Sequence, residues 1–399
     1  MYEQIKKELY AFHSLSSLKD EELYRLINSV FIRQELEGNI NVEKRQEAIE
    51  QIFSSIRGLG ILDELLNDDS ISEIMINSFD EIYIERNGET KQIEKRFDNE
   101  KHLLDVIQRI VGKSGREVNT ANPIVDTRLF SGERVNVVLP PISLSGPVVT
   151  IRRFPKERIV LEDLIRFGSI TAEAAEFLKR LVKRKYNIFI SGGTSSGKTT
   201  FLNALSDYIP KNERIITIED SAELQIFGIK NLIRLEARNA NTSGAGEITI
   251  KELIRTSLRM RPDRIIVGEV RGEEALDMLN AMNTGHDGSL STGHANSSFD
   301  MICRLETMVL QSGVSFPLLA IRQHIASSID IIVHLQRDSL GKRRVVEISE
   351  IVGMENGEIK LNPLYKNESG KLIKTKNKLI NIEKLNMYGE KDENQEKAK

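Results

Sequence analysis

The run IFISGGTSSGKTT, Ile188 to Thr200, joins a short apolar strand to a glycine loop that closes on Lys-Thr. Strand, glycine loop and helix start, in that order, let backbone N–H groups converge on an anion. Gly192 and Gly197 lack a Cβ, so the chain can curl there, and a helix beginning near Lys198 adds the positive end of its dipole. Gly193, Thr194, Ser195, Ser196 and Thr200 complete the cradle. Lys198 is expected to reach the β and γ phosphates of ATP, and the Thr199 hydroxyl to bind Mg²⁺.

Downstream, strand-sized apolar runs at 215–218, 232–235, 265–267, 289–292, 331–335 and 345–351 alternate with helical stretches. A helix over 172–185 feeds the strand at 187–191. This rhythm predicts an α/β domain with a sheet covered on both faces, over 166–365. Ahead of it, short strands at 71–77, 81–85, 91–97, 134–139 and 148–152 with a helix over 99–111 predict a small α+β domain at 58–150. Residues 1–57 carry helical stripes, Leu23, Leu26, Ile27, Val30 and Phe31 on one and Ile49, Ile52, Phe53 and Ile56 on another, and read as a helical hairpin or bundle. A linker is expected at 151–165 and a solvated, charged extension at 366–399.

The 399 residues carry 56 basic and 59 acidic side chains, a formal charge of -3. That balance supplies no global attraction for nucleic acid, and no stable nucleic-acid partner is expected. The single cysteine, Cys303, cannot form an intrachain disulfide and reads as a structural thiol. No apolar stretch approaches the ~18–20 residues that cross a bilayer. The expected location is the reducing cytoplasm.

Beyond the loop, RPDRIIVGEVR (261–271) delivers Glu269 to the carboxyl end of a strand, where open α/β sheets place their ligand crevice. Glu269 is expected to orient or deprotonate the attacking water, and with Glu219 to reach Mg²⁺ through water. Glu219 and Asp220 close the strand in ITIEDSAEL, and neighbouring strand residues face opposite ways, so Glu219 is the expected site group and Asp220 a cap for a helical start at 221–224. TGHDGSLSTGHANS supplies His286 and His294, whose spacing fits no zinc motif and suits nucleotide sensing or structural bonding. Phosphoryl transfer needs cations beyond Lys198. Arg134, Arg152 and Arg153 precede the α/β domain, the last two beside the expected hinge, and Arg255, Arg259, Arg261, Arg264 and Arg271 lie within it.

Four blocks, GGTSSGKTT, ITIEDSAEL, RMRPDRIIVGEVRGEEALDML and TGHDGSLSTGHANS, together resemble the type II and type IV secretion ATPases, and most closely the CpaF-like tight-adherence (Tad/Flp) pilus-assembly branch. The resemblance runs from near Leu59 to about Leu361. It implies a RecA-like P-loop NTPase domain preceded by a small α+β domain and an N-terminal helical region. It also implies a cytoplasmic hexameric ring, peripherally associated with the inner face of the cytoplasmic membrane through inner-membrane platform proteins, hydrolysing ATP to power pilus assembly or secretion. By resemblance Lys198 and Thr199 form the loop pair, Glu219 the acidic-block carboxylate, Glu269 the catalytic glutamate, His286 and His294 the histidine block, and Arg134, Arg152 and Arg153 the phosphate-contacting arginines. Ser195 stands where the family commonly has glycine, which would strain the loop if φ there were positive. The competing readings are a type IV secretion or conjugation ATPase, a nucleic-acid-stimulated P-loop motor, and a scaffold that binds ATP only to assemble.

Overall fold

The computed structural model describes residues 8–9, 18, 20–34, 45–46, 49, 52–53, 58–86, 88–129, 131–153, 158–238, 246–338, 341–368 and 370–387. The chain divides into two compact units, Met1–Glu157 and Arg158–Lys399.

In the first unit, helix α1 (Asp20–Gln34) buries Leu23, Ile27, Val30 and Phe31 against Leu9, Ile49 and Ile52. Both stripes read from the sequence thus meet, although most of 35–57, Ile56 included, lies outside the described residues. Next come α2 (Ile61–Asn67), β1 (Ile71–Ile76), β2 (Ile82–Arg86), β3 (Glu89–Ile93), α3 (Glu100–Lys113), β4 (Ile124–Arg128), β5 (Arg134–Val138) and β6 (Val148–Arg152). The strands form an antiparallel sheet in the order β3-β2-β1-β6-β5-β4. Alternate residues Val135, Val137, Val149 and Ile151 point to one face and share a core with Leu103, Val106, Ile107, Ile110 and Val111 of α3. Asn99 starts α3, its side chain accepting from the His102 N–H.

The second unit holds α4 (Leu161–Arg166), α5 (Ala172–Lys183), β7 (Ile188–Gly192), α6 (Lys198–Ser206), β8 (Arg214–Glu219), β9 (Asn231–Glu236), α7 (Ile250–Ser257), β10 (Arg264–Val270), α8 (Glu274–Met282), β11 (Leu290–His294), α9 (Ser298–Gln311), α10 (Leu318–Ser328), β12 (Ile331–Arg337), β13 (Arg343–Glu355), β14 (Glu358–Glu368), β15 (Lys371–Lys374) and α11 (Glu383–Met387). Its sheet runs β15-β14-β13-β12-β7-β11-β10-β8-β9. Strands β12 to β9 in that order are parallel, and β13 to β15 add antiparallel hairpins. Successive residues of β7 serve opposite faces: Ile188 and Ile190 join one core, Phe189 the other. This is the expected α/β sheet with apolar layers on both sides.

The expected linker is shorter than 151–165. Arg152 ends β6, and α4 already buries Leu161 and Leu164 in the second unit's core; Pro155 lies outside the described residues. The charged extension also differs from expectation. Lys371–Lys374 pairs as β15 and buries Leu372, the Tyr186 hydroxyl donates to the Asn381 carbonyl, and Lys384 sits 2.7 Å from both Asp287 and Asp330. Edge pairing, ion pairs and the packing of Leu379 and Leu385 on the core hold this segment, whose interspersed lysines and asparagines hid it; 388–399 lies outside the described residues. Among the described residues no helix is long and apolar enough to cross a membrane.

Candidate nucleotide site

Strand β7 is buried from end to end. Burial of Ile188, Phe189 and Ile190 contributes roughly 1.5–3 kcal/mol for each side chain, enough to anchor a loop that carries local strain. At Gly192 an added Cβ would stand 2.5 Å from both the Leu335 carbonyl oxygen and Ser196 Oγ, so only glycine fits. Gly197 adopts φ 92° as the residue before α6, and no side chain caps that helix, which leaves its first N–H groups to an anion. Ser195 has φ 57°, so the strain expected there is present, at a cost of about 1–2 kcal/mol.

Lys198 is 7% exposed. Its ammonium donates to the carbonyls of Gly192 (3.3 Å) and Gly193 (3.1 Å) and lies 3.3 Å from His294 Nδ1. Burial lowers its pKa, with the Glu269 charge opposing. His294, at the end of β11, sets Nε2 2.7 Å from Glu269 Oε1, a close charge contact whose angle falls short of a hydrogen bond. The other Glu269 oxygen accepts from Arg271 Nε (2.9 Å) and Nη2 (2.7 Å). Burial pulls the His294 pKa down, Glu269 pulls it up, and Lys198, Arg271 and Arg304 press it down again. A neutral ring can turn its Nδ1 lone pair to Lys198 and leaves Nε2 facing Glu269 Oε1, which keeps no hydrogen-bond partner.

Because β10 extends to Val270, Glu269 lies inside the strand rather than just after it. Strand β11 separates β10 from β7, which puts Glu269's strand roughly 9–10 Å from the loop's strand at ordinary sheet spacing. His294, at the end of β11, bridges that spacing between the carboxylate and Lys198.

Glu219 ends β8 with one oxygen accepting from the Glu223 and Leu224 N–H groups, each at 2.7 Å. Burial outweighs those bonds and raises its pKa to about 7. Residues 221–226 are not helical, so Asp220 caps nothing; Glu219 itself collects the free N–H groups, while Asp220 stands 3.8 Å from Arg271. Glu219 Oε2, Ser196 Oγ and Thr217 Oγ1 are buried without partners. The unpaired Glu219 Oε2 and the Thr199 hydroxyl, one residue into α6, are oxygen donors of the kind a hydrated divalent cation such as Mg²⁺ takes.

Several expected groups are engaged elsewhere. His286 precedes β11, its Nδ1 3.3 Å from the Ala281 carbonyl, and the four-residue advance from Leu290 to His294 separates the two histidines' ends of the strand by roughly 13 Å. Arg153 is 8% exposed and bonds the backbone carbonyls of Leu66 (2.8 Å), Ile71 (3.0 Å) and Asp68 within the first unit. Arg264 is buried on Glu213, Val182 and Gly288, and Arg255 pairs with Asp277. Arg134 and Arg152 are cross-strand partners on the sheet face opposite the first unit's core, with Arg134 3.6 Å from Asp126.

Two groups were missed. Arg343 Nε donates to the Ser195 carbonyl at 3.0 Å and its side chain passes over Gly197; the basic run GKRR was its only signal. His334 Nδ1 lies 2.8 Å from Ser191 Oγ, tying β12 to the residue before the loop. Burial lowers its pKa, and a lone histidine inside IIVHL was the available hint.

Residues 56–376 match the family described as Type II/IV secretion system protein. A putative conjugal transfer protein of Mycobacterium tuberculosis is 34% identical over 302 residues, 74% of this chain and 85% of that protein. The type IV secretion system protein PtlH of Bordetella pertussis is 32% identical over 309 residues, 71% of this chain and 91% of its own. The structure of the pilus retraction motor PilT with bound ADP superposes at TM-score 0.53 with 21% identity, covering 83% of this chain and 86% of that one. The Legionella pneumophila ATPase DotB gives TM-score 0.50 at 22% identity, covering 73% and 81%. These two structures carry the RecA-like P-loop fold with a small N-terminal domain, which is the fold found here.

Proposed function

This chain belongs to the Type II/IV secretion system protein family, and from that premise we propose that it is an ATPase powering transfer through a type IV secretion or conjugation apparatus. The relatives named for conjugal transfer and type IV secretion support this reading over pilus assembly, the reverse of the order read from the four sequence blocks. Tight-adherence pilus assembly stays the second reading, favoured by those blocks.

The observation that carries the ATPase reading is the contact chain Lys198–His294–Glu269 beside the Gly197-led helix start. In the proposed reaction, water attacks the γ phosphorus of ATP and ADP and orthophosphate leave. Lys198 exchanges the Gly192 and Gly193 carbonyls for phosphate oxygens, and the α6 N–H groups bind the same anion. Glu269 orients the water, released from Arg271 as the site fills, and His294 links Glu269 to Lys198 so that the loop and the carboxylate respond together. The Thr199 hydroxyl, with Glu219 and Glu269 acting through water, would hold Mg²⁺, which when bound would supply charge neutralisation on the phosphates. Arg134 and Arg152 remain the proposed phosphate-contacting arginines and His286 a proposed structural histidine; Arg153, committed to carbonyls, is withdrawn. The working form is proposed to be a cytoplasmic homohexamer docked on inner-membrane platform proteins.

Multiple-turnover phosphate release from ATP and Mg²⁺ by the purified full chain tests the reaction. Glu269→Gln should bind nucleotide and lose most turnover; undiminished turnover removes Glu269 from its role. In the source cell, loss of DNA or protein delivery with pilin display intact selects transfer, and the opposite pattern selects pilus assembly. Stimulation by single-stranded DNA would favour a nucleic-acid motor.

A further inference from the structure

A cavity of about 420 Å³ opens beside the phosphate loop, floored by Gly193, Thr194 and His294 and walled by one stripe of α9 that includes Asp300, Cys303 and Arg304. The opposite stripe of α9, Met301, Ile302, Leu305 and Met308, is packed in the core, so the polar stripe is held at the loop by the helix's own burial. Arg304 is exposed and near enough to His294 to depress its proton affinity. On a hydrolase, a chamber with a guanidinium one step beyond the group that contacts Lys198 and Glu269 lies where a cleaved terminal phosphate must go. Asp300, four residues before Arg304 on the same stripe, offsets part of that positive charge, which suits a product that has to leave.

The geometry points to this cavity as the exit chamber for orthophosphate, with Arg304 as its counter-charge. The inference rests on the ATPase reading above and adds a residue and a route to it. Arg304 acts on the product and on its departure, while ADP stays with the loop.

The test compares the full-length chain with Arg304→Ala and Arg304→Lys. Loss of a charge-assisted hydrogen bond predicts that inhibition of ATP turnover by orthophosphate weakens about tenfold in Arg304→Ala, with partial recovery in Arg304→Lys and fluorescent ADP affinity unchanged. Cys303, the chain's only cysteine, gives a readout independent of turnover. Orthophosphate added to the ADP-loaded protein should slow Cys303 alkylation in wild type and not in Arg304→Ala. Equal phosphate inhibition and equal Cys303 protection in wild type and Arg304→Ala overturn the inference, as does loss of oligomer with phosphate inhibition intact, which would assign Arg304 to a contact between copies. A wild type that hydrolyses no ATP rejects the ATPase reading instead, and the alkylation experiment still reports whether the cavity takes phosphate.

Discussion

Replacing Glu219 by glutamine keeps an oxygen for the Glu223 and Leu224 N–H groups and removes the charge, which isolates what ionising this buried carboxyl costs the fold. Its pKa stands at about 7 in the folded chain against an ordinary 4.5. Below pH 4.5 folded and unfolded chains both hold the proton and the full stability is present. As pH rises from 4.5 toward 7 the unfolded chain ionises first, so stability falls, and the loss is complete above the folded value. A rise of that size corresponds to about 3 kcal/mol, or roughly 6–12 °C in Tm for a unit of this length. Calorimetric unfolding of wild type and Glu219→Gln at pH 5 and pH 8.5 reads the effect as a difference of differences, in which the other titrating groups cancel. About 0.8 kcal/mol is already lost at pH 5, so wild type should lose about 5–10 °C more than the variant across that interval. Parallel melting curves would refute the burial argument for Glu219 and, with it, the picture of an unpaired Oε2 held ready for a hydrated cation.

Ser195→Gly relieves the positive φ at the loop and should stabilise the second unit by about 0.5–1 kcal/mol after glycine's extra unfolded-state entropy, while Ser195→Ala, which keeps the Cβ, should change little; denaturant titration decides, and a less stable glycine variant contradicts the assignment. Arg153→Met leaves buried carbonyls of α2 and β1 unbonded and should cost about 2–4 kcal/mol in the same assay, whereas Arg152→Ala should stay within about 0.5 kcal/mol; equal effects would mean that Arg153's bonds do not hold the unit together. Gly288→Ala, at φ 84° and with its Cβ 2.5 Å from Arg264 Nη1, should destabilise by about 2–4 kcal/mol, and a wild-type Tm would disprove that close approach.

The loop was legible because its chemistry is contiguous: glycines, Lys198 and Thr199 sit within one turn of the strand that presents them. Glu269 and His294 were legible as residues because each lies at the carboxyl end of a recognisable apolar run. Their contact was not, since it depends on β11 entering the sheet between β7 and β10. His286 lies at the other end of β11 from His294, and its contact with the Ala281 carbonyl agrees with structural bonding, one of its two readings. Arg153 misled because charge next to a hinge resembles a ligand group, and its use on three carbonyls is visible only once α2 and β1 fold beside it. Arg343 and His334 come from strands laid against the loop from far along the chain, so the basic run GKRR and the lone histidine in IIVHL do not by themselves point to the loop. The C-terminal stretch was read as solvated because lysines and asparagines intersperse Leu372, Leu379 and Leu385, which pack in or against the second unit's core.

The position of β7 in the sheet also bears on how the protein is made. Its partner strands, β11 and β12, are both translated long after the loop itself. A nascent chain on the ribosome therefore carries the complete GGTSSGKTT sequence with neither flanking strand to brace it, and at roughly 5–20 residues per second that interval lasts on the order of ten seconds. Nucleotide grip is accordingly a late acquisition of synthesis, and an ATP-saturated cytosol cannot template the domain from its amino-terminal side.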